Sequence, residues 1–285
     1  MDTKRTHYYF AEANAVNATL HTPLRAEVRP QAYLRLPDNG GYFSERAEKF
    51  RFEGVISFGS AYTQAAGYVS DKPDGGWVTL VTAVVEKLNV LDVVTADRVV
   101  AQISVEHPLT GYVPSVTFLG TRFENLQIAG HKIEPKLNLG FCGPKPGGDK
   151  LYLEDPGFRG RVEEQHKRMA EASDAVRGKY SGKLPDPGAL RKEWDDYNEA
   201  DYCKRKDIRP TAGVDCSLVD SLGKTDPWRS VGNAIEVPDF GRIFLAELRV
   251  ECDVFELTMI RLDMGCIGSG TVMASNAIVN GGTRP

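Results

Sequence analysis

GRIFLAELRVECDVFELTMIRLDMGC, residues 241 to 266, alternates apolar and polar side chains through two successive runs. A period of two is typical of β-strands that bury one face. One face of the first run carries Phe244, Ala246, Leu248, Val250 and Cys252. One face of the second run carries Thr258, Ile260, Leu262, Met264 and Cys266. The stretch therefore predicts two neighbouring strands with a shared apolar side.

The two rows also predict a register for this hairpin. Pairing Leu248 with Ile260 places both apolar rows on the same side of the sheet. The same register sets Glu247 opposite Arg261 on the other, more exposed side. A short loop over Asp253 to Phe255 would then join the strands.

Similar runs occupy the chain up to about residue 140 and again from Asn233 onward. They are rich in Val, Ile, Thr, Phe and Tyr, and clusters such as PDNGG (37–41) and DKPDGG (71–76) separate them. Short β runs between turn clusters indicate a sandwich or a barrel. We therefore predict a mainly β protein with a two-sheet sandwich or barrel-like core. Because no linker is visible, residues 1–285 are predicted to form a single β-rich domain.

The pattern changes after CGPKPGGDK, residues 142 to 150. Asp155-Pro156 and Asp186-Pro187 are both suitable helix starts, with Asp as N-cap and Pro at the first helical position. The first helix would turn Phe158, Val162, Met169 and Val176 to one side. The second would turn Leu190, Trp194 and Tyr197 to one side. A two-helix insertion at about 150–210 is the prediction.

Composition limits the class of partner. The chain has 35 Lys and Arg against 39 Asp and Glu, a formal net charge of −4, so it lacks the basic surface that nucleic-acid binding needs. No apolar run approaches the length of a membrane span, and no signal-peptide pattern is visible. We expect a soluble, cytoplasmic protein that binds neither nucleic acid nor a membrane.

The usual motifs of cofactor and metal chemistry are missing. GPKPGGDK (143–150) lacks the ending of a phosphate loop, and GCIGSG (265–270) lacks the dinucleotide spacing. His166 has no second histidine at zinc-ligand spacing, and Ser221 to Lys224 matches Ser-x-x-Lys without its companion motifs. The five cysteines are widely spaced and the five histidines are scattered. We predict no cofactor, no metal and no identifiable catalytic residue.

VTADRVVAQISVEHP, residues 94 to 108, places four residues of the types used in acid–base chemistry within fifteen positions: Asp97, Arg98, Glu106 and His107. Unbroken alternation from Val99 to Val105 predicts one continuous strand. Ten residues at about 3.3 Å each separate Asp97 from His107 by roughly 33 Å. We therefore expect that these two side chains share no site and that Asp97 binds backbone N–H groups or a nearby basic residue.

Aromatic side chains are dense in the first third of the chain. They occur in HYYF (His7 to Phe10) and at Tyr33, Tyr42, Phe43, Tyr62, Tyr68 and Trp77. Tyrosines on the outer face of a sheet can form a contact surface for carbohydrate or protein. They also serve as ordinary strand and core residues, so both interpretations stay open.

Several of these stretches resemble an uncharacterised family of bacterial proteins. They are ISFGSAYTQ (56–64), TADRVVAQISVEHP (95–108), FLGTRFENLQIAGH (118–131), DFGRIFLAEL (239–248) and MGCIGSGTV (264–272). The resemblance covers most of the chain apart from the helical middle. The strand-and-turn pattern is more distantly similar to β-sandwich domains of the choice-of-anchor type. The resemblance to the uncharacterised family implies no catalytic residues.

Three hypotheses for function follow. The first is a non-enzymatic binding or structural protein that works through a surface or by self-association, as a homo-oligomer or with a protein partner. The second is an enzyme, hydrolase-like, with a site assembled from distant carboxylates such as Asp92, Asp97 or Glu124, or a ligand-binding β-barrel. The third is membrane insertion through a hairpin at Ser57 to Val85. We expect the first.

Overall fold

The computed structural model describes residues 6–72, 75–148, 150–179, 213–251, 254–265 and 268–284. The strands are β1 (Thr6–Thr22), β2 (Ala26–Gln31), β3 (Leu34–Arg35), β4 (Gly41–Phe52), β5 (Ile56–Val69), β6 (Trp77–Val90), β7 (Val94–His107), β8 (Ser115–Thr117), β9 (Arg122–Glu124), β10 (Gln127–Ile128), β11 (His131–Lys132), β12 (Lys136–Leu137), β13 (Val214–Ser217), β14 (Val219–Ser221), β15 (Arg229–Val231), β16 (Ala234–Val237), β17 (Gly241–Glu251), β18 (Val254–Met264) and β19 (Ser269–Arg284). A 3-10 helix (Tyr152–Glu154) precedes the helix α1 (Pro156–Lys179).

Two antiparallel sheets pack face to face, which confirms the predicted β-sandwich. Sheet 1 has the order β15-β16-β17-β18-β19-β1-β2, with β13 beside β17 and β3 beside β1. Sheet 2 has the order β11-β10-β7-β6-β5-β4, with β8 and β9 beside β7. β1 pairs with β19 from end to end, from Thr6 opposite Arg284 to Thr22 opposite Ser269. Sheet 1 is therefore built from both ends of the described chain.

Small side chains line the interface between the sheets. Buried alanines occur on both inner faces, among them Ala11 and Ala13 in sheet 1 and Ala61 and Ala83 in sheet 2. The hydroxyl of Ser275 crosses this interface and donates to the carbonyl of Ala83 at 2.7 Å. A direct side-chain bond from one sheet to the backbone of the other requires close approach, which the alanines permit.

A transverse crease crosses each sheet. In sheet 1 it passes through Ala246 and Ser275, which have positive φ values of 47° and 58°. In sheet 2 it passes through Lys49 and Lys87, with φ values of 50° and 54°. The strand pairing continues with unchanged register on both sides of each crease. A left-handed residue inside a strand turns the following side chains to the other face, so strict alternation fails at the crease.

The crease explains why the predicted hairpin register is wrong. Leu248 pairs with Leu257, and Ile260 pairs with Leu245, three residues away from the prediction. Leu248 and Ile260 are nevertheless both buried. β17 ends at Glu251 and β18 begins at Val254. The predicted loop at Asp253 to Phe255 is therefore wrong, because Val254 and Phe255 already belong to β18. Cys252 and Asp253 lie outside the described residues.

The predicted faces of this hairpin also need correction. Phe244 does not share a face with Leu248, because the guanidinium of Arg261 lies 3.9 Å from the centre of the Phe244 ring on the other face. Arg261 also donates to both carboxylate oxygens of Glu247 at 2.7 and 2.9 Å. The predicted contact between Glu247 and Arg261 is therefore confirmed, although Glu247 pairs in the ladder with Thr258.

The first predicted helix begins where the sequence indicates. The Phe158 N–H donates to the Asp155 carboxylate at 2.7 Å, as an N-cap requires, and the helix starts at Pro156. Phe158, Val162 and Met169 are buried against the sandwich. The Val176 side chain and the whole predicted second helix, with Leu190, Trp194 and Tyr197, lie outside the described residues.

α1 is fastened to the sandwich edge by polar contacts as well as by its apolar side. The Gln165 side-chain amide donates to the Ser217 carbonyl and accepts from the Ser217 N–H, both at 2.9 Å. It thus makes the same pair of hydrogen bonds with β13 that a neighbouring strand would make. Arg161 donates to the carbonyls of Phe141 and Cys142 at 2.7 and 2.6 Å. These bonds fix the described part of the insertion on the outside of the β core.

Candidate functional site

The acid–base residues of β7 do not form a site, as predicted. β7 is one continuous strand, and Asp97 and His107 lie far apart along it. Asp97 accepts a hydrogen bond from the Asn125 side chain at 3.2 Å, so the expected backbone or basic partner is wrong. Arg98 pairs with Glu86 at 3.6 Å. The four residues therefore serve separate local contacts.

The other carboxylates proposed for a hydrolase site do not converge on a cavity. Asp92 lies in the turn between β6 and β7 and accepts from the Asn89 amide at 2.6 Å. Glu124 on β9 accepts from Arg122 at 2.7 Å. With Asp97 bound to Asn125, each of the three has its own polar partner near the protein surface.

The aromatic residues divide between surface and core. Tyr8, Tyr33, Tyr42, Phe43 and Tyr68 are exposed, and they are distributed over β1, β4, β5 and the turn before β3. Tyr9 is buried, Trp77 is half-buried, and the Tyr62 hydroxyl accepts from Arg98. The buried and half-buried members are therefore ordinary core and strand residues, and a contact surface formed by the exposed members stays a prediction.

An apolar pocket of about 760 Å³ opens at one end of the sandwich, where several strand ends and turns meet. Its lining residues are Leu20, Thr22, Pro23, Leu24, Glu53, Val55, Leu91, Val93, Ala129, Trp228, Val237, Pro238, Asp239, Phe240, Met264 and Gly268. The volume lies in the range of small-molecule sites. The sequence gives no direct signal for it, because the lining comes from turns spread over almost the whole chain.

Backbone hydrogen bonds support each wall of this pocket. On the sheet 2 side the Leu91 N–H donates to the Val55 carbonyl at 2.9 Å, and the Ala129 N–H donates to the Val93 carbonyl at 2.6 Å. On the sheet 1 side the Phe240 N–H donates to the Val237 carbonyl at 3.2 Å. These bonds hold the turns of the sheet 2 wall to one another and close the β16–β17 turn of the sheet 1 wall.

One wall of the pocket is aromatic. The indole N–H of Trp228 donates to the Ile128 carbonyl at 3.4 Å, and the His131 ring meets the indole edge-on at 5.7 Å. These two contacts orient the indole at the pocket wall. Phe240, largely buried, adds a second ring.

The charged groups of the pocket are both acidic. Glu53 in the β4–β5 turn and Asp239 in the β16–β17 turn have positive φ values of 44° and 60°. They come from opposite sheets, both are exposed, and neither makes an ion pair with another described residue. Among the described lining residues, Thr22 supplies the one hydroxyl, and none is His, Cys, Lys or Arg.

A second polar group is buried at the opposite end of the sandwich. The His7 ring stacks on Trp77 at 5.1 Å and lies 4.8 Å from the His107 ring, measured between centroids. His107 is 1% exposed, and its ring nitrogens make no hydrogen bond of normal geometry with a described residue, although the Gly281 backbone lies beside the ring. A Cβ at Gly281 would lie 2.8 Å from the His107 Cε1, so only glycine leaves room for the ring.

Burial controls the charge of both imidazoles. Desolvation lowers the pKa of His7 to about 4. It also lowers the pKa of His107 to about 4, with repulsion from His7 and Lys145 acting in the same direction and the Gly281 backbone opposing them. Both rings are therefore neutral at neutral pH. The histidines are scattered along the sequence, which gives no signal for this pair because a hundred residues separate His7 from His107.

The described residues contain no group of three or more His, Cys, Asp and Glu side chains that could hold a metal ion. Over the same residues, no helix is long and apolar enough to cross a membrane. The volume and apolar lining of the pocket make it the candidate functional site.

The fold and the pocket define a two-sheet β-sandwich with a preformed apolar site at one end. The chain belongs to the family described as a domain of unknown function (DUF8256), whose model matches residues 7–251. The matched range includes residues 150–210, which the resemblance seen in the sequence does not cover. It ends before β18 begins at Val254. Comparisons with curated proteins and with solved structures found no match. They add no support for the distant likeness to choice-of-anchor domains.

Proposed function

We propose that this protein is a non-enzymatic binding protein that holds a small apolar ligand in the pocket at the end of the sandwich. The observation that carries the proposal is a preformed cavity of about 760 Å³ whose lining is almost entirely apolar. Burying a ligand against such walls removes apolar surface from water, at about 25 cal/mol per Å². Because backbone hydrogen bonds already hold the turns within each wall, little ordering cost opposes binding.

The lining chemistry favours binding over catalysis. Nucleophilic or acid–base catalysis uses a reactive side chain beside a base that a third group orients. Of the described lining residues, Thr22, Glu53 and Asp239 carry the reactive groups, and the two carboxylates stand at exposed turns. This argues against the hydrolase-like alternative at this site.

Fluorescence of diphenylhexatriene, a neutral apolar probe, tests the proposal. The probe should become fluorescent with a saturable, one-site titration curve. Val55→Trp should fill the pocket and weaken binding at least tenfold, since it removes room where the ligand sits. Val69→Trp is the matched control, because Val69 is 59% exposed at the far end of β5.

A milder variant covers the case in which Val55→Trp fails to fold. Leu91 lines the pocket, is 40% exposed and has a φ of 52°, a conformation that asparagine tolerates. Leu91→Asn should keep the fold and weaken probe binding by about tenfold, through lost apolar contact. Unchanged affinity in both folded variants would show that the probe binds elsewhere and would overturn the proposal.

Self-association is a second candidate function, favoured by the edge strand β4. Its Tyr42 and Phe43 are exposed, and β4 has β5 as its one partner among the described strands. An antiparallel second copy paired about Ala47 would place Arg46 opposite Glu48 of the other copy. Charges on an edge usually prevent pairing, but in this order they complement a second copy.

A charge swap tests this second candidate. Sedimentation velocity should detect a dimer whose population falls in Arg46→Glu, because like charges would then face each other. The double variant Arg46→Glu, Glu48→Arg should restore it. A monomer at every concentration up to hundreds of micromolar would exclude pairing through β4. Action in the cytoplasm and a protein partner remain predictions from the sequence.

A further inference from the structure

We infer that the ligand of the pocket is an apolar cation: an amine or quaternary ammonium group on a hydrophobic body. This inference rests on the proposed function and names the class of ligand. Its basis is the charge of the lining, in which Glu53 and Asp239 are the charged residues and both are acidic.

The two carboxylates are placed to act on one ligand. Glu53 stands on the sheet 2 side of the pocket and Asp239 on the sheet 1 side, each at a turn beside apolar lining residues. Neither is neutralised by an ion pair with a described residue. Arg25, the basic residue next to lining residue Leu24, is not a lining residue of the pocket; it lies with His21 and Glu27 in an adjoining depression.

The aromatic wall strengthens the same preference. A cation over the face of tryptophan is attracted by the negative charge of the ring face, and quaternary ammonium groups are recognised in this way. Trp228 is held in place by its bond to Ile128 and by His131, so its ring needs no reorganisation. An anionic ligand would gain no basic partner here and would meet two carboxylates. A neutral ligand would gain only the apolar contact.

Three probes that share one apolar body separate these cases: diphenylhexatriene, its trimethylammonium derivative and its propionate derivative. We expect the order of affinity cation, neutral, anion, with the cation binding about tenfold more tightly than the anion. Because both carboxylates are exposed, this ratio should fall as salt concentration rises.

Variants at the two turns assign the preference to the carboxylates. Glu53→Gln with Asp239→Asn should reduce the cation-to-anion ratio to about one, and the affinity for the neutral probe, measured in the same variant, reports any change in the apolar pocket itself. Both replacements keep side-chain size, and asparagine suits the positive φ at position 239. Glu45→Gln, an exposed carboxylate on β4, is the control and should leave the ratio as it is.

The outcomes distinguish the two proposals. If the neutral probe binds and Val55→Trp blocks it, but the ratio is the same in the double variant and the native protein, this inference is wrong and the proposed function stands. If no probe binds, or if pocket variants leave all three affinities unchanged, both are wrong.

Discussion

At the scale of single residues, the two buried imidazoles have the clearest consequence for stability. His7 on β1 and His107 on β7 join the two sheets at the end opposite the pocket, with Trp77, Tyr9 and Gly281 around them. When folding lowers the pKa of a histidine, the free energy of unfolding is highest above the unfolded pKa of about 6.5, where the ring is neutral in both states. That stability is lost as the pH falls from about 6.5 toward the folded value of about 4.

The free energy of unfolding should therefore fall on acidification by about 2 kcal/mol per histidine between pH 7.5 and pH 5. His7→Phe with His107→Leu should remove this dependence. Urea unfolding at the two pH values measures it, and the exposed His21→Gln is the control. Asp215 acts in the opposite sense in every variant, since burial raises its pKa to about 6 and acid stabilises its protonated form. Equal acid losses in the double variant and the native protein would contradict the assignment.

The Ser275 hydroxyl makes a second prediction at this scale. It donates to the Ala83 carbonyl and accepts from the Ala101 N–H at 3.2 Å, so its removal takes these hydrogen bonds from buried backbone groups of sheet 2. Ser275→Ala should cost about 1 to 3 kcal/mol in urea unfolding. Ser60→Ala is the comparison, because that hydroxyl donates to Glu86 on the outer side of sheet 2, and it should cost less than 1 kcal/mol. A cost no larger than that of Ser60→Ala would mean that the bridge between the sheets contributes little.

At the scale of elements, the sequence identifies strands and a helix start but misplaces their partners. The row Val99, Ala101, Ile103 and Val105 is buried as alternation predicts, and Asp155 caps α1. The hairpin register fails because Ala246 takes a left-handed conformation that an alanine in a strand rarely adopts. The crease depends on the neighbouring strands as well, so a local sequence pattern cannot reveal it. The pocket is hidden for the same reason, since its walls are turns from both sheets.

β17 gives a prediction that the corrected register leaves intact. Leu248 is fully buried between the sheets, so Leu248→Ala should lower the free energy of unfolding by about 2 to 5 kcal/mol, measured by urea titration. Val69→Ala removes apolar atoms from an exposed site and should change it by less than about 0.5 kcal/mol. The pair Glu247–Arg261 is more buried than the sequence suggests, with about a fifth of each side chain exposed, so it is not an ordinary surface ion pair.

At the scale of the whole molecule, a single domain over residues 1–285 stays a prediction, which the pairing of β1 with β19 favours. The N-terminal part supplies β1 and all of sheet 2, and the part after the helical insertion supplies β15 to β19. The two parts share the core, and Ser275 of the second bonds to backbone groups of the first. We therefore expect that a site-specific protease sequence inserted after residue 195 allows the chain to be cut into two fragments that stay associated. They should elute together from a size-exclusion column in native buffer and separate in 6 M urea, because only loss of the core exposes the shared apolar surface. Separation of the fragments in native buffer would show that each part folds alone. In that case the pocket, whose walls come from both parts, should lose its diphenylhexatriene binding on cleavage.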